Sequence, residues 1–234
     1  MSDKYQRLEV NQSQAVGSVI CPVGESNCVY LSELQQLRQE VDCLAEQVRT
    51  DALTGLFNFR YLNEILPIEM ERTRRSGMPM SLILLDIDHF KHFNDQWGHE
   101  VGNQALVHVA QLINLTLRKL DLPCRFGGEE FLLILPNTDI TQAVAVAERL
   151  RELIASALFK NDGQVIPLTA SLGVDEFKLQ HPDTPESLLR RVDAWLYLAK
   201  DGGRNRVASP ELTTGVAAVT PAEKDALFGW ENSQ

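Results

Sequence analysis

Two pairs of carboxylates stand where isolated charges are costly. Asp86 and Asp88 close the apolar run Ser81-Leu82-Ile83-Leu84-Leu85-Asp86-Ile87, and Glu129 and Glu130 follow Gly127-Gly128 directly before Phe131-Leu132-Leu133-Ile134-Leu135. A buried charge must be paired or bound to a metal, so if the two runs are neighbouring strands, three or four carboxylates converge on one sheet edge. Hard oxygen ligands in that number suit Mg2+, which takes one or two carboxylates and completes its shell with substrate phosphates. In polymerase-type sites two such ions activate a hydroxyl and stabilise the leaving group of an in-line displacement. The plainer alternative is that the aspartates cap the next segment and the glutamates are solvated hairpin charges. Taken pair by pair, the residues leave both readings open.

Positioning such groups takes a sheet with helices over it. Helical periodicity runs near 60–77, 100–119, 138–158 and 184–201, and the two apolar runs read as central strands covered on both faces. Arg125-Phe126 and Phe131 to Leu135 flank Gly127-Gly128, which predicts a β-hairpin whose glycines supply positive φ. Leu168 to Val174 is a further strand. A helix, then β-α-β-β-α-β and a closing helix, predicts a ferredoxin-like α/β (α+β) fold with a mostly antiparallel central sheet. Before it, Tyr30, Leu34, Leu37, Val41, Leu44 and Val48 recur in steps of four and three. Leu34, Val41 and Val48 occupy a positions and Tyr30, Leu37 and Leu44 occupy d, the seam of a parallel two-stranded coil. An amphipathic helix packed on its own domain is the alternative. The expected organisation is a mobile segment over 1–28, a stalk helix over 29–50, a globular domain over 51–208 and a tail over 209–234.

Composition narrows the partners. Twenty-two Lys+Arg against 32 Asp+Glu give a net charge of -10, which argues against nucleic acid and anionic membranes as partners. No apolar run reaches the ~18 residues of a membrane span and the N-terminus lacks an apolar leader core, so a cytoplasmic location is expected. Cys21, Cys28, Cys43 and Cys124 lack metal-ligand spacing and are read as structural thiols.

The ordered motifs resemble the GGDEF family of diguanylate cyclases over about 51–207. They are Asp51-Ala52-Leu53-Thr54-Gly55-Leu56 with Asn58 and Arg60; Asp86-Ile87-Asp88-His89-Phe90-Lys91; Asn94-Asp95 with Gly98-His99 and Gly102; Gly127-Gly128-Glu129-Glu130-Phe131; and Lys200 with Gly203-Arg204-Asn205. The resemblance implies a nucleotidyl-cyclase palm that condenses two GTP into cyclic di-GMP and pyrophosphate. By its motifs, Asp86, the Ile87 carbonyl and Glu129 would bind Mg2+, with Mn2+ as a substitute and two ions per pair of half-sites with GTP. Glu130 would assist deprotonation of the ribose 3′-hydroxyl. Phe90, Lys91, Lys200 and Arg204 would contact phosphates, and Gly127 and Gly128 would let the backbone approach the nucleotide. Guanine would be read by Asn94 and Asn103. The family's usual residue after Gly102 is aspartate, and an amide offers one acceptor and one donor where a carboxylate offers two acceptors, so looser base recognition is expected.

The product's two-fold symmetry implies a homodimer, each subunit contributing half a site. The stalk would hold the halves together and offer a regulatory protein a place to act. Arg118-Lys119-Leu120-Asp121 matches the family's inhibitory RxxD motif, with Arg149 as a second phosphate ligand for cyclic di-GMP acting as product inhibitor; an ordinary surface ion pair is the alternative. A receptor for GTP or cyclic di-GMP with little turnover is the competing function, and only Asn103 speaks for it.

Overall fold

The eight residues of β1 (Met80–Ile87) are buried throughout because both faces of this strand are covered. β3 (Glu130–Pro136) and β6 (Ala170–Phe177) flank it, both antiparallel. Outside them lie β2 (Leu122–Arg125), antiparallel to β3, and β7 (Val207–Ala208), parallel to β6, giving the order β2-β3-β1-β6-β7. The computed structural model describes residues 49–177 and 183–210, with 33–34, 36–41 and 44 before them.

Side chains alternate across the pleat, and the alternation divides the interior in two. Leu82 and Leu84 join a layer with Leu62, Leu66 and Met70 of α1 (Phe59–Ser76) and Leu188, Val192 and Leu196 of α5 (Pro185–Asp201). Ile83, Leu85 and Ile87 face α2 (Phe90–Trp97), α3 (His99–Thr116) and α4 (Ile140–Ser156). Burying a side chain of this size contributes about 1.5–3 kcal/mol, so neither layer is dispensable. Local chemistry fixes the helix starts: Asn58, Asp139 and Thr184 each accept a hydrogen bond from a first-turn N–H.

The four expected helices form within a few residues of their sequence bounds, and the antiparallel sheet flanked by helices is as expected. Four elements were not legible. α2 is only eight residues, β4 (Phe159–Asn161) and β5 (Gln164–Ile166) are three each around an Asp162-Gly163 turn with φ of 49° and 81°, and β7 is two; none is long enough to show a period. Among the described residues no helix is long and apolar enough to cross a membrane. Cys124 is buried and unpaired. The segment 1–28, the tail beyond 210, Tyr30, Val48 and the other three cysteines lie outside the described residues.

Candidate active site at the end of β1

Asp86 continues the Leu82–Leu84 row, so it faces the α5 side of the sheet. The residue is 7% exposed and its Oδ2 lies 2.7 Å from Lys200 Nζ in the last turn of α5. What lets the lysine reach is Gly173 on β6: a Cβ there would stand 2.3 Å from the Leu196 nitrogen and 2.4 Å from the Val192 carbonyl. α5 therefore rests on the strand backbone itself. Glu130 pairs with Asp86 across the β1–β3 ladder, and the Ile87 N–H donates to the Glu129 carbonyl at 3.3 Å. Burial, with the charges of Glu130 and Glu129 behind it, pushes the Asp86 carboxyl up to about 6 against the opposing pull of Lys200.

Asp88 is a different case from Asp86. Its Oδ1 accepts from Ser171 Oγ at 2.6 Å, and its Oδ2 accepts from Thr169 Oγ1 at 2.8 Å and from the Asn205 N–H at 3.0 Å. Hydrogen bonds compensate Asp88, in keeping with its absence from the expected metal ligands, and tie down the Arg204-Asn205 turn, where both residues have positive φ. That turn is how exposed Arg204 comes to the end of β1. Among the described residues no three carboxylate, imidazole or thiol groups are already gathered around one point as a metal cluster. Asp86 is buried and Glu129, whose charge acts on it, is half-buried; hard carboxylate oxygens of this kind fit a divalent ion that draws its other ligands from phosphate.

The expectation for the hairpin glycines is corrected. Among the described residues the positive-φ glycines are Gly55, Gly77, Gly98, Gly163 and Gly203, and neither Gly127 nor Gly128 is among them. The need at Gly127 is steric and internal: a Cβ would stand 2.7 Å from Glu130 Oε2, so its absence lets the Glu130 carboxylate fold over the turn. Gly128 has open space around it.

Sequence reasoning missed Arg125. Its Nη1 donates to both Asp51 oxygens, at 3.1 and 3.2 Å, and its Nη2 to the Gly128 carbonyl at 2.9 Å. Asp51 is itself fixed by the Thr54 N–H and hydroxyl, at 2.9 and 2.7 Å. Burial raises the Asp51 carboxyl, but the Thr54 and Arg125 hydrogen bonds outweigh it and hold the group below its ordinary value. The signal was present in the sequence as a lone cation two residues before a glycine turn.

α2 begins at His89 with φ 56° and no side-chain cap, so no capping side chain stands between its first-turn N–H groups and an anion. Lys91 is exposed there; Phe90 is buried and stacks on Phe93 with centroids 6.0 Å apart. Asn94 Oδ1 is buried without a hydrogen-bond partner, and a Cβ on Gly102 would lie 1.8 Å from it. Asn103 is exposed and lines a groove of about 570 Å³ with Leu53, Gln104, His108 and Phe159. The groove's lining contains Asn103 and not Asn94.

On another edge the Arg118 N–H donates to Asp121 Oδ2 at 2.8 Å and the Asp121 N–H to the Arg118 carbonyl at 3.1 Å, closing a turn. Burial raises the Asp121 carboxyl, opposed by Arg118 and Arg149. Arg149 donates to the Thr116 carbonyl at 2.9 Å, so all three residues stand together.

Comparison with known proteins adds three kinds of likeness. A family model described as diguanylate cyclase, GGDEF domain, matches residues 48–206. The chain is 40% identical over 173 residues to the response regulator PleD of Caulobacter vibrioides, covering 73% of this chain and 38% of that protein, so it spans under two-fifths of that relative. Among solved structures it resembles the coiled coil and GGDEF domain of DgcB from Caulobacter crescentus in complex with c-di-GMP (32% identity, TM-score 0.67, 77% of this chain and 95% of that one). It equally resembles the diguanylate cyclase SiaD of Pseudomonas aeruginosa in complex with its activator SiaC (38% identity, TM-score 0.67, 76% and 68%).

Proposed function

Because the chain belongs to the GGDEF family of diguanylate cyclases, we propose that it condenses two GTP into cyclic di-GMP and two pyrophosphates, as a homodimer in the cytoplasm. The observation that carries this reading is the buried Asp86 carboxylate, set opposite Glu130 and faced by Lys200. Each ribose 3′-oxygen attacks the α-phosphorus of the other nucleotide, its proton passing towards Glu130 and pyrophosphate leaving in line. A divalent ion, Mg2+ or Mn2+, held by Asp86, the Ile87 carbonyl and Glu129, would supply Lewis acidity to that step. Lys91, Lys200 and Arg204 clamp the β- and γ-phosphates, offsetting a net charge of -10, and the uncapped start of α2 at Phe90 adds backbone N–H groups. The unpartnered Asn94 Oδ1 has an acceptor to offer guanine, and Asn103 contributes from the groove beside it.

Holding two nucleotides face to face replaces a bimolecular encounter by orientation, worth up to ~7–11 kcal/mol in favourable cases. The stalk over 29–50 serves that end, and we assign it as the place where a regulatory protein acts; a related cyclase has been captured with an activator. Arg118, Asp121 and Arg149 form a product site that restrains turnover. A receptor without turnover would have no use for the whole arrangement of Asp86, Glu130 and Lys200. Incubating the protein with GTP and Mg2+ should yield cyclic di-GMP and pyrophosphate in a 1:2 ratio, and Glu130→Gln should lower the rate at least a hundredfold. GTP binding with no product from the unaltered protein would favour the receptor.

A further inference from the structure

Lys200 occupies the oxygen that a metal ion needs. The geometry points to Lys200 as a competitor for the metal seat, bound to Asp86 Oδ2 until the phosphates of an incoming nucleotide draw it away. This inference rests on the assignment of Asp86 to the metal and Lys200 to phosphate given above.

Three features of the contact carry it. Lys200 Nζ lies 2.7 Å from Asp86 Oδ2, with the two side chains 32% and 10% exposed, so water screens the pair poorly. A divalent cation on that oxygen would stand close to the ammonium, and like charges at short range repel strongly. Metal and lysine therefore disfavour each other at this atom. Second, among the described residues Lys200 is the only cation within ion-pair reach of Asp86. Third, the lysine's root is fixed while its stem is free. Gly173 lets α5 rest on the β6 backbone, and the Gly202 N–H bonds back to the Leu198 and Lys200 carbonyls. Release of Asp86 then requires only rotation of the four-carbon stem towards the phosphates.

Coupling between metal and nucleotide follows. Metal alone must displace the lysine with nothing to receive it, whereas metal with nucleotide gives the ammonium a new anionic partner. Each ligand raises the affinity of the other by the same factor.

Mn2+ binding to the full chain, followed by the electron spin resonance of the free ion, tests this without any turnover. Without nucleotide, Lys200→Met should bind Mn2+ about tenfold more tightly than the unaltered protein. With a GTP analogue whose α-phosphate cannot be transferred, the gain in Mn2+ affinity on adding nucleotide should shrink by a similar factor. Arg204→Gln removes the same charge from the phosphate clamp without touching Asp86, and it should leave nucleotide-free Mn2+ affinity within twofold. Lys200→Gln is a second variant should the methionine disturb α5. Unchanged or weaker Mn2+ binding in both lysine variants overturns the inference, and so does equal tightening in Arg204→Gln, which would reduce the effect to general electrostatics. Asp86→Asn separates the two levels: loss of Mn2+ binding supports the seat, while retention overturns the seat and the competition together.

Discussion

Cys124 shows how completely burial decides the chemistry of a single group. It lies on β2 with no exposure, and burial pushes its thiol up to about 12. The thiolate is the reactive form, so at pH 8 iodoacetamide should leave Cys124 unmodified for hours and label it promptly once denaturant unfolds the domain; peptide mass spectrometry reads this site apart from the other cysteines. Asn103 lies at the opposite extreme. A carboxylate would offer guanine two acceptors, but the exposure of this position weakens any hydrogen bond gained, so Asn103→Asp should lower the apparent KM for GTP about fivefold, equivalent to ~1 kcal/mol. An unchanged KM would remove Asn103 from base recognition. The sequence identified these residue types and their grouping. Residue types and spacing alone could not tell Asp86 from Asp88, and only the family resemblance singled out Asp86, because the hydroxyls and the N–H that satisfy Asp88 come from Thr169, Ser171 and Asn205, more than eighty positions away. Asn94 and Asn103 were likewise expected together, and the start of α3 sets one in the interior and the other on a groove.

At the scale of elements, two contacts fix the site more firmly than any catalytic side chain does. Gly173 is one. Adding a methyl there forces α5 off β6, because the atoms it meets belong to backbone and cannot rotate aside. Overpacking of this kind costs about 1–3 kcal/mol or more; Gly173→Ala should lower the denaturation midpoint accordingly, and in protein that still folds the displaced Lys200 should reduce turnover beyond what stability explains. The other contact joins the entry strap of the domain to the hairpin. Arg49 sits over the Tyr61 ring at 5.1 Å, its carbonyl accepts from the Asn58 N–H at 2.9 Å, and Asp51 holds Arg125, which holds the Gly128 carbonyl. Asp51→Asn removes the charge pairing and one of the two acceptors but preserves the shape, so kcat should fall about tenfold with KM little changed, since the hairpin carrying Glu129 and Glu130 loses its anchor while the residues proposed to hold phosphate do not. An equal fall in stability and activity would make the anchor merely structural. Hydrophobic periodicity marked the long helices and central strands, whereas this strap was invisible to it: its order comes from hydrogen bonds between loops rather than from a buried face.

For the molecule as a whole, the question is what brings two acidic domains together. Leu34, Leu37, Val41 and Leu44 are helical and 51–62% exposed, so the domain that follows does not cover them. That disposition favours the seam of a two-stranded coil over a helix folded back on its own chain. A net charge of -10 on the whole chain makes two chains repel, and screening at ~0.15 M salt leaves that repulsion effective over about 8 Å. The stalk would overcome it by raising the local concentration of one domain near the other, to the millimolar range for short tethers. A chain beginning at Arg49 keeps the Asp51 strap but lacks the seam. It should sediment as a monomer at micromolar concentration, and its rate per subunit should rise in proportion to protein concentration, where the full chain's rate per subunit is constant. At 1 μM the deficit should exceed tenfold. Added salt should recover part of the loss in the truncated chain by screening the repulsion, while leaving the full chain nearly unaffected. If the truncated protein instead stayed dimeric with an undiminished rate, the catalytic encounter would have to be driven by the domain faces themselves, and the exposed leucines would be left for a partner of another kind.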